Sequence, residues 1–182
     1  NNRLQSGWTL GQRWRLSERS NLYNESQFLK EPNQSGLAHT FGMDFYPAQG
    51  WNLGFTLSDG ELTNTAGGNI DRRAISISGG RTSSDTDWQS KLEWREDQGA
   101  EQREQWVSTH RLTHKINDSW RIAARLNYAD TEDELDPLAS ARFIEGNVGF
   151  AYRPWNNQRW GLYGRYTYLY DVSALQQVFG DG

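Results

Sequence analysis

The sequence predicts an all-β chain of about ten antiparallel strands running up and down, and three observations carry that expectation. Apolar and polar residues alternate with period two, most clearly in Trp120-Arg121-Ile122-Ala123-Ala124-Arg125-Leu126-Asn127-Tyr128. That is the repeat of a strand, whose side chains point to opposite faces in turn. The chain is polar on average, with 35% hydrophobic residues and a mean hydropathy of −0.89, yet it holds 9 Trp, 8 Tyr and 7 Phe. A disordered chain would share the polarity but be poor in aromatics. No run approaches the ~20 consecutive apolar residues of a transmembrane helix. A greasy face backed by a face that carries arginine is instead the dyad pattern of a membrane strand. The expected fold is thus an antiparallel up-and-down transmembrane β-barrel, with the ten strands forming part of a larger barrel.

Each strand can be justified in order. Trp8, Leu10, Trp14 and Leu16 oppose Thr9, Gly11, Arg13 and Arg15, and Ser17-Glu18-Arg19-Ser20 makes a turn. Residues 21–30 form the weakest strand, because neither face is cleanly apolar. After a loop over 31–36, Leu37, His39, Phe41, Met43 and Phe45 oppose Thr40, Gly42 and Asp44. Beyond the turn at 46–50, Trp51, Leu53, Phe55 and Leu57 oppose Asn52, Gly54, Thr56 and Ser58. Ile75 and Ile77 alternate with Ser76 and Ser78 up to a turn at 83–87. Trp88, Leu92 and Trp94 then oppose Gln89, Lys91, Glu93 and Arg95. Trp106, Ser108, His110, Leu112, His114 and Ile116 face away from Thr109, Arg111, Thr113 and Lys115, and Asn117-Asp118 closes that hairpin. The opening run follows. Ile144, Val148, Phe150 and Tyr152 then oppose Glu145, Asn147 and Arg153. Trp160, Leu162, Tyr166, Tyr168 and Tyr170 oppose Arg159, Arg165 and Thr167.

The runs group into hairpins near 7–30, 37–58, 73–95, 105–128 and 143–170, all in one β-barrel region covering 1–182. Short turns near Arg19, Ala48, Asp85, Asp118 and Asn156 are expected to alternate with long loops over 31–36, 59–72, 96–104 and 129–142. Short periplasmic turns and long extracellular loops are the habit of outer-membrane barrels. Trp51, Trp88, Trp120, Tyr152, Trp155 and Trp160 all flank short turns, which places them in one aromatic ring at a membrane interface.

Composition excludes several chemistries. With no Cys there is no disulfide framework, thiolate metal site or thiol nucleophile. A net charge of −4 and a pI near 5.4, with no separate basic face, argue against a nucleic-acid partner. Asn1-Asn2-Arg3-Leu4 lacks the apolar segment of a signal peptide, so the chain is read as a processed or internal piece of a longer protein.

Several stretches carry a resemblance: Arg72-Arg73-Ala74, Leu92-Glu93-Trp94-Arg95-Glu96-Asp97, Arg103-Glu104-Gln105-Trp106, Ala151-Tyr152-Arg153-Pro154 and Arg165-Tyr166-Thr167-Tyr168-Leu169-Tyr170-Asp171. They resemble the membrane barrel of large multidomain proteobacterial surface proteins that often bear an OmpA-like label. The resemblance covers most of 70–171 and implies a Gram-negative outer-membrane location. It carries no catalytic motif. It also implies further strands after the Tyr-Leu-Tyr-Asp stretch. The partners it implies are outer-membrane lipid, barrel-assembly machinery and other envelope or surface proteins.

No catalytic, cofactor or metal site is expected. His110 and His114 sit four apart, which on a strand means about 13 Å, too far to share a metal. Asp130-Thr131-Glu132-Asp133-Glu134-Leu135-Asp136 could offer oxygens to calcium but lacks the pattern and central Gly of an EF-hand loop, so it reads as a solvated acidic loop. Gly67-Gly68-Asn69 has no P-loop lysine, and no Gly-x-Ser-x-Gly elbow occurs.

A charge on the lipid face costs about 2–4 kcal/mol at the bilayer midplane. Arg13, Arg15, Lys91, Glu93, Arg95, Arg111, Arg121, Arg125, Glu145 and Arg165 are therefore expected to line the lumen, and Asp44, Arg73, Lys115 and Arg153 are assigned to the same polar faces. Three functions compete. The first is a closed anchor that displays or exports a larger surface region. The second is a porin-like channel, favoured if the basic residues form one ladder in an open lumen. The third is a soluble carbohydrate-binding β-module whose aromatics stack sugars, favoured if the chain stays soluble without detergent.

Overall fold

The computed structural model describes residues 6–30, 34–64, 68–154 and 159–173. Ten antiparallel strands form a single sheet in strict chain order: β1 (Ser6–Ser17), β2 (Ser20–Lys30), β3 (Gln34–Phe45), β4 (Trp51–Asn64), β5 (Asn69–Thr82), β6 (Thr86–Gly99), β7 (Arg103–Lys115), β8 (Trp120–Asp133), β9 (Ala141–Tyr152) and β10 (Leu162–Ser173). One 3-10 turn, Pro137–Ala139, lies between β8 and β9. Every hydrogen-bonded neighbour is also a sequence neighbour. Among the described residues no ladder joins β10 back to β1, so the expected barrel is here an open sheet.

The strands are longer than the alternation suggested, and this corrects the expected long loops. β4 runs to Asn64 and β5 starts at Asn69, so most of 59–72 is ladder. β6 reaches Gly99 and β7 starts at Arg103, leaving only 100–102 of the loop expected over 96–104. β8 continues to Asp133, beyond the predicted end at Tyr128. Apolar alternation fades in these stretches, but cross-strand polar pairs replace it and keep the ladder going. The expected loop at 31–36 likewise shrinks, because β3 starts at Gln34. Strict alternation of short and long connections is therefore absent. At the other rim, Gly50 adopts φ 77°, a left-handed conformation that glycine takes without strain, where the turn after β3 hands the chain to β4.

The weak strand over 21–30 is complete in β2. Its uneven pattern has a local cause: Asn24 and Ser26 sit among apolar neighbours opposite Gln12 and Leu10 of β1, and the Ser26 hydroxyl bonds His39 Nδ1 on β3 at 2.8 Å. On the other face the Tyr23 ring lies over Gly42, its direct partner, and Tyr23 Oη bonds Thr56 Oγ1 at 3.2 Å.

The registers sort the side chains onto two faces. One carries Trp8, Leu10, Phe41, Leu57, Ile75, Ile77, Leu92, Leu112, Ile122, Val148 and Tyr166, and the other carries Arg13, Arg15, Arg72, Arg95, Arg103, Arg111, Arg121, Arg125 and Arg165. Burial is inverted relative to a water-soluble domain. Leu10 (64% exposed), Ile77 (60%), Val148 (60%) and Tyr166 (69%) stand open, and Ile70 at 2% is the buried hydrophobic residue among those described. Along β5 the polar-face positions Ser76 and Gly80 are buried while Ile75 and Ile77 are exposed. Two faces of a flat sheet would be equally open, so the sheet curls around its polar face.

Candidate functional site

All ten residues expected to share a lumen lie on the concave polar face. Arg13 and Arg15 stand apart on β1. There Arg13 reaches Asp44 at 3.5 Å and lies over the Tyr23 ring at 5.6 Å. Arg73 is corrected: it shares the apolar face with Ile75 and sits beyond the apolar residues, opposite and 3.5 Å from Asp59.

The concave face has two parts of different chemistry. Near the end where β5 begins and β6 finishes, direct cross-strand partners form one row across four strands, Arg72–Asp97–Arg103–Asp133, with signs alternating. Arg72 holds Asp97 through two hydrogen bonds of 2.6 and 2.7 Å, and Asp97 is only 3% exposed. Arg103 reaches Asp133 at 3.3 Å and Glu101 at 3.4 Å. Asp133 also accepts the backbone N–H groups of Leu135 and Asp136, at 3.0 and 2.9 Å. Two carboxylates of the acidic stretch 130–136 are thus committed, since Asp130 takes Arg142 at 2.8 Å and the Tyr128 hydroxyl at 2.8 Å.

Four rungs further along, the order of signs changes. Arg111 of β7 and Arg125 of β8 are direct partners, and so are Lys115 and Arg121. Like charges directly opposite on one face destabilise a sheet. Among the described residues neither Arg111 nor Arg121 has a carboxylate partner in reach, and Lys115 reaches only the turn residue Asp118, at 2.7 Å.

Glu145 does not neutralise the arginines beside it by contact, because asparagines intervene. Asn127 and Asn147 donate to its two oxygens at 2.8 and 2.9 Å. Arg125 Nε approaches the Asn127 amide oxygen at 3.4 Å, and Arg165 donates to the Asn147 amide oxygen at 2.7 Å. Glu93 is bridged by Lys91 at 2.7 Å and Arg95 at 2.6 Å.

Lys91, Arg111, Arg121, Arg125 and Arg165 line one hollow of about 770 Å³. Tyr163 and the amides of Gln89, Asn127 and Asn147 also line it, and its lining contains no Asp or Glu. Asp87, one rung from Arg111 along β6, stays outside, with a buried carboxylate oxygen that has no hydrogen-bond partner.

The expected interface aromatics form two clusters instead of one ring. Trp51 and Trp88 meet edge-on at 6.3 Å, with the Arg81 guanidinium 5.3 Å from the Trp51 ring. Tyr152 contacts Trp120 at 4.6 Å and Trp160 at 5.6 Å. Trp88 pairs with Leu112 and that with Ala124, four residues past Trp120, so the clusters are staggered along the strands. Hydrogen-bonded rungs run perpendicular to strands, whereas a rim cuts tilted strands obliquely. Trp155 lies outside the described residues.

Two features escaped the sequence reading. Trp94 and Trp106 are direct partners at the other end of the apolar band and both donate to Glu104 Oε1, at 2.7 and 3.1 Å. Each imidazole also finds a cross-strand hydroxyl on the apolar face: His110 Nδ1 with Ser90 at 2.6 Å, and His114 Nδ1 with Thr86 at 2.8 Å. Ser108 meets His110 Nε2 at 3.0 Å.

An up-and-down antiparallel sheet with an apolar outer face and a charged inner face is the class these observations define. Among the solved structures similar to it are an outer membrane protein and a porin. OmpT (in-vitro folded), an outer membrane protein of Vibrio cholerae, has a TM-score of 0.48 and 8% identity, over 94% of this chain and 86% of that one. The KdgM porin has a TM-score of 0.38 and 13% identity, over 92% of this chain and 88% of that one. No protein-family model and no curated protein matches the sequence.

Proposed function

We propose that the chain forms the wall of a transmembrane β-barrel in a Gram-negative outer membrane, with its apolar face toward lipid and its charged face toward the lumen. The inverted burial supports this. A water-soluble sheet has no means to leave Leu10, Ile77, Val148 and Tyr166 open across ten strands, since exposed apolar patches on soluble monomers rarely exceed a few hundred Å². Hydrocarbon covers such a face without cost. The outer edges of β1 and β10 would be intolerable in lipid, where each unsatisfied backbone group costs several kcal/mol. Pairing with each other or with further strands closes the wall.

The role we assign is a membrane-embedded scaffold whose interior is cross-linked by the Arg72–Asp97–Arg103–Asp133 row, suited to anchoring or exporting a larger surface region. Outer-membrane lipid and the barrel-assembly machinery are the partners this requires. A second reading, a porin-like channel, is favoured by the carboxylate-free basic hollow. The soluble sugar-binding alternative is disfavoured, because its aromatics would lie on an uncovered apolar face.

Two adjacent substitutions on β10 test the face assignment. Tyr166→Arg places a charge toward lipid and should lower barrel stability by about 2–4 kcal/mol, read as lost heat-modifiability and liposome insertion. Thr167→Arg on the opposite face should be tolerated. Equal effects, or a chain that stays soluble without detergent, would remove the barrel reading. Planar-bilayer recordings of the inserted protein then separate anchor from channel by the absence or presence of steady conductance.

A further inference from the structure

We infer that the basic hollow is a binding site for a soluble, multivalent oxyanion carrying several carboxylate or phosphate groups. This goes beyond the scaffold role and rests on the barrel reading only in placing the hollow toward water. Five cationic side chains from β6, β7, β8 and β10 line it and no acidic one does. The same face a few rungs away shows how this sequence arranges charges that serve the sheet: it alternates them. Here it sets Arg111 against Arg125, an order that weakens the sheet unless something negative lies between, while on the other like-charged rung Lys115 turns to Asp118 and Arg121 is left without a carboxylate. Interposed asparagines keep Arg125 and Arg165 oriented by neutral amide oxygens, leaving their charge available.

Four of the five cations are arginines, whose planar forks grip carboxylate and phosphate through paired hydrogen bonds. Spacing sets the valence. Partners on one rung, Arg111 and Arg125, stand ~5 Å apart at Cα, and Arg121 lies four residues from Arg125, ~13 Å along the strand. A single small anion satisfies the Arg111–Arg125 rung. A short linear polyanion reaches from that rung to Arg121.

The test is a calorimetric titration of inorganic tripolyphosphate, with orthophosphate beside it, into the full chain folded in detergent at low ionic strength. Tripolyphosphate should bind at one site and much more tightly than orthophosphate. Arg125→Gln and Arg121→Gln should each weaken it about tenfold. Arg15→Gln removes the same charge from the same face far from the hollow, and should change affinity less than about twofold. A loss with Arg15→Gln as large as with Arg125→Gln, or equal affinity for the two phosphates, would overturn the site. Should the chain refuse detergent and lipid, the barrel reading falls. The same titration on the water-soluble protein then decides the site by the same comparisons.

Discussion

Two regions of one concave face, built on the same strands in the same register, treat charge in opposite ways. Across β5 to β8 at one end, direct partners read Arg72, Asp97, Arg103, Asp133, and each cation lies between or beside carboxylates. Toward the other end, β7 and β8 read Arg111 against Arg125 and Lys115 against Arg121. The first arrangement is a cross-link that carries the ladders past the point where apolar alternation ends. The second sets like charges opposite each other and works against the sheet. Ion pairs alone therefore do not reveal what a charged face is for; the order of signs along each rung does.

The alternating row carries the largest expected effect. Arg72→Gln leaves the Asp97 carboxylate 3% exposed without its two-pronged partner. Removing one member of a buried pair costs about 3–5 kcal/mol, and the part-exposed guanidinium puts the expectation near the lower figure. Urea unfolding of the detergent-folded protein measures it. A change within a few tenths of a kcal/mol would show that the row decorates the strand ends without holding them.

Neutralising an arginine at the other end should have the reverse sign. Arg125→Gln removes the charge facing Arg111 and keeps an amide able to meet Asn127. Stability without polyanion should rise by about 0.2–1 kcal/mol. Tripolyphosphate stabilises whichever protein binds it, so the ranking of wild type and variant should invert as the anion is added. A variant less stable than wild type in anion-free buffer would mean the arginines are held in a favourable structural arrangement.

Sequence legibility divides along the same line. Period two gave the strands, and the parity of Arg111, Arg121, Arg125 and Arg165 placed them on one face, because a half-covered strand writes its two environments into alternate residues. The outer parts of β4, β5, β6 and β8 were lost because their apolar positions give way to Asp59, Arg73, Glu96 and Asp130, which look like loop. The parity nevertheless continues: Asp97 follows Arg95 and Glu93 on the same face. What one strand cannot show is register. Arg111 and Arg125 lie in different hairpin arms with Leu112 to Ala124 between them, and a slip of one residue would have turned the two to opposite faces. The stagger of the aromatic clusters was hidden for the same reason, because tilt belongs to the sheet and not to any strand.

The smallest effect probes whether the lower rung is a true repulsion. Lys115 donates to Asp118 in the turn before β8 at 2.7 Å, and that ammonium holds the exposed Asp118 carboxyl below the ordinary aspartate range. A depressed carboxylate pKa stabilises the fold above the unfolded value, and this support fades as pH falls through the lower folded one. Asp118→Asn should therefore lower the urea midpoint slightly at pH 7, and the gap from wild type should close as the solution is taken well below the usual carboxylate range. The informative arm is the double variant with Arg121→Gln. If Asp118 steadies Lys115 against the arginine opposite, removing Arg121 leaves it less to offset, and the Asp118→Asn effect should shrink. An unchanged effect would make the Lys115–Asp118 contact an isolated surface pair, and the like-charged rung would then be too well screened to matter.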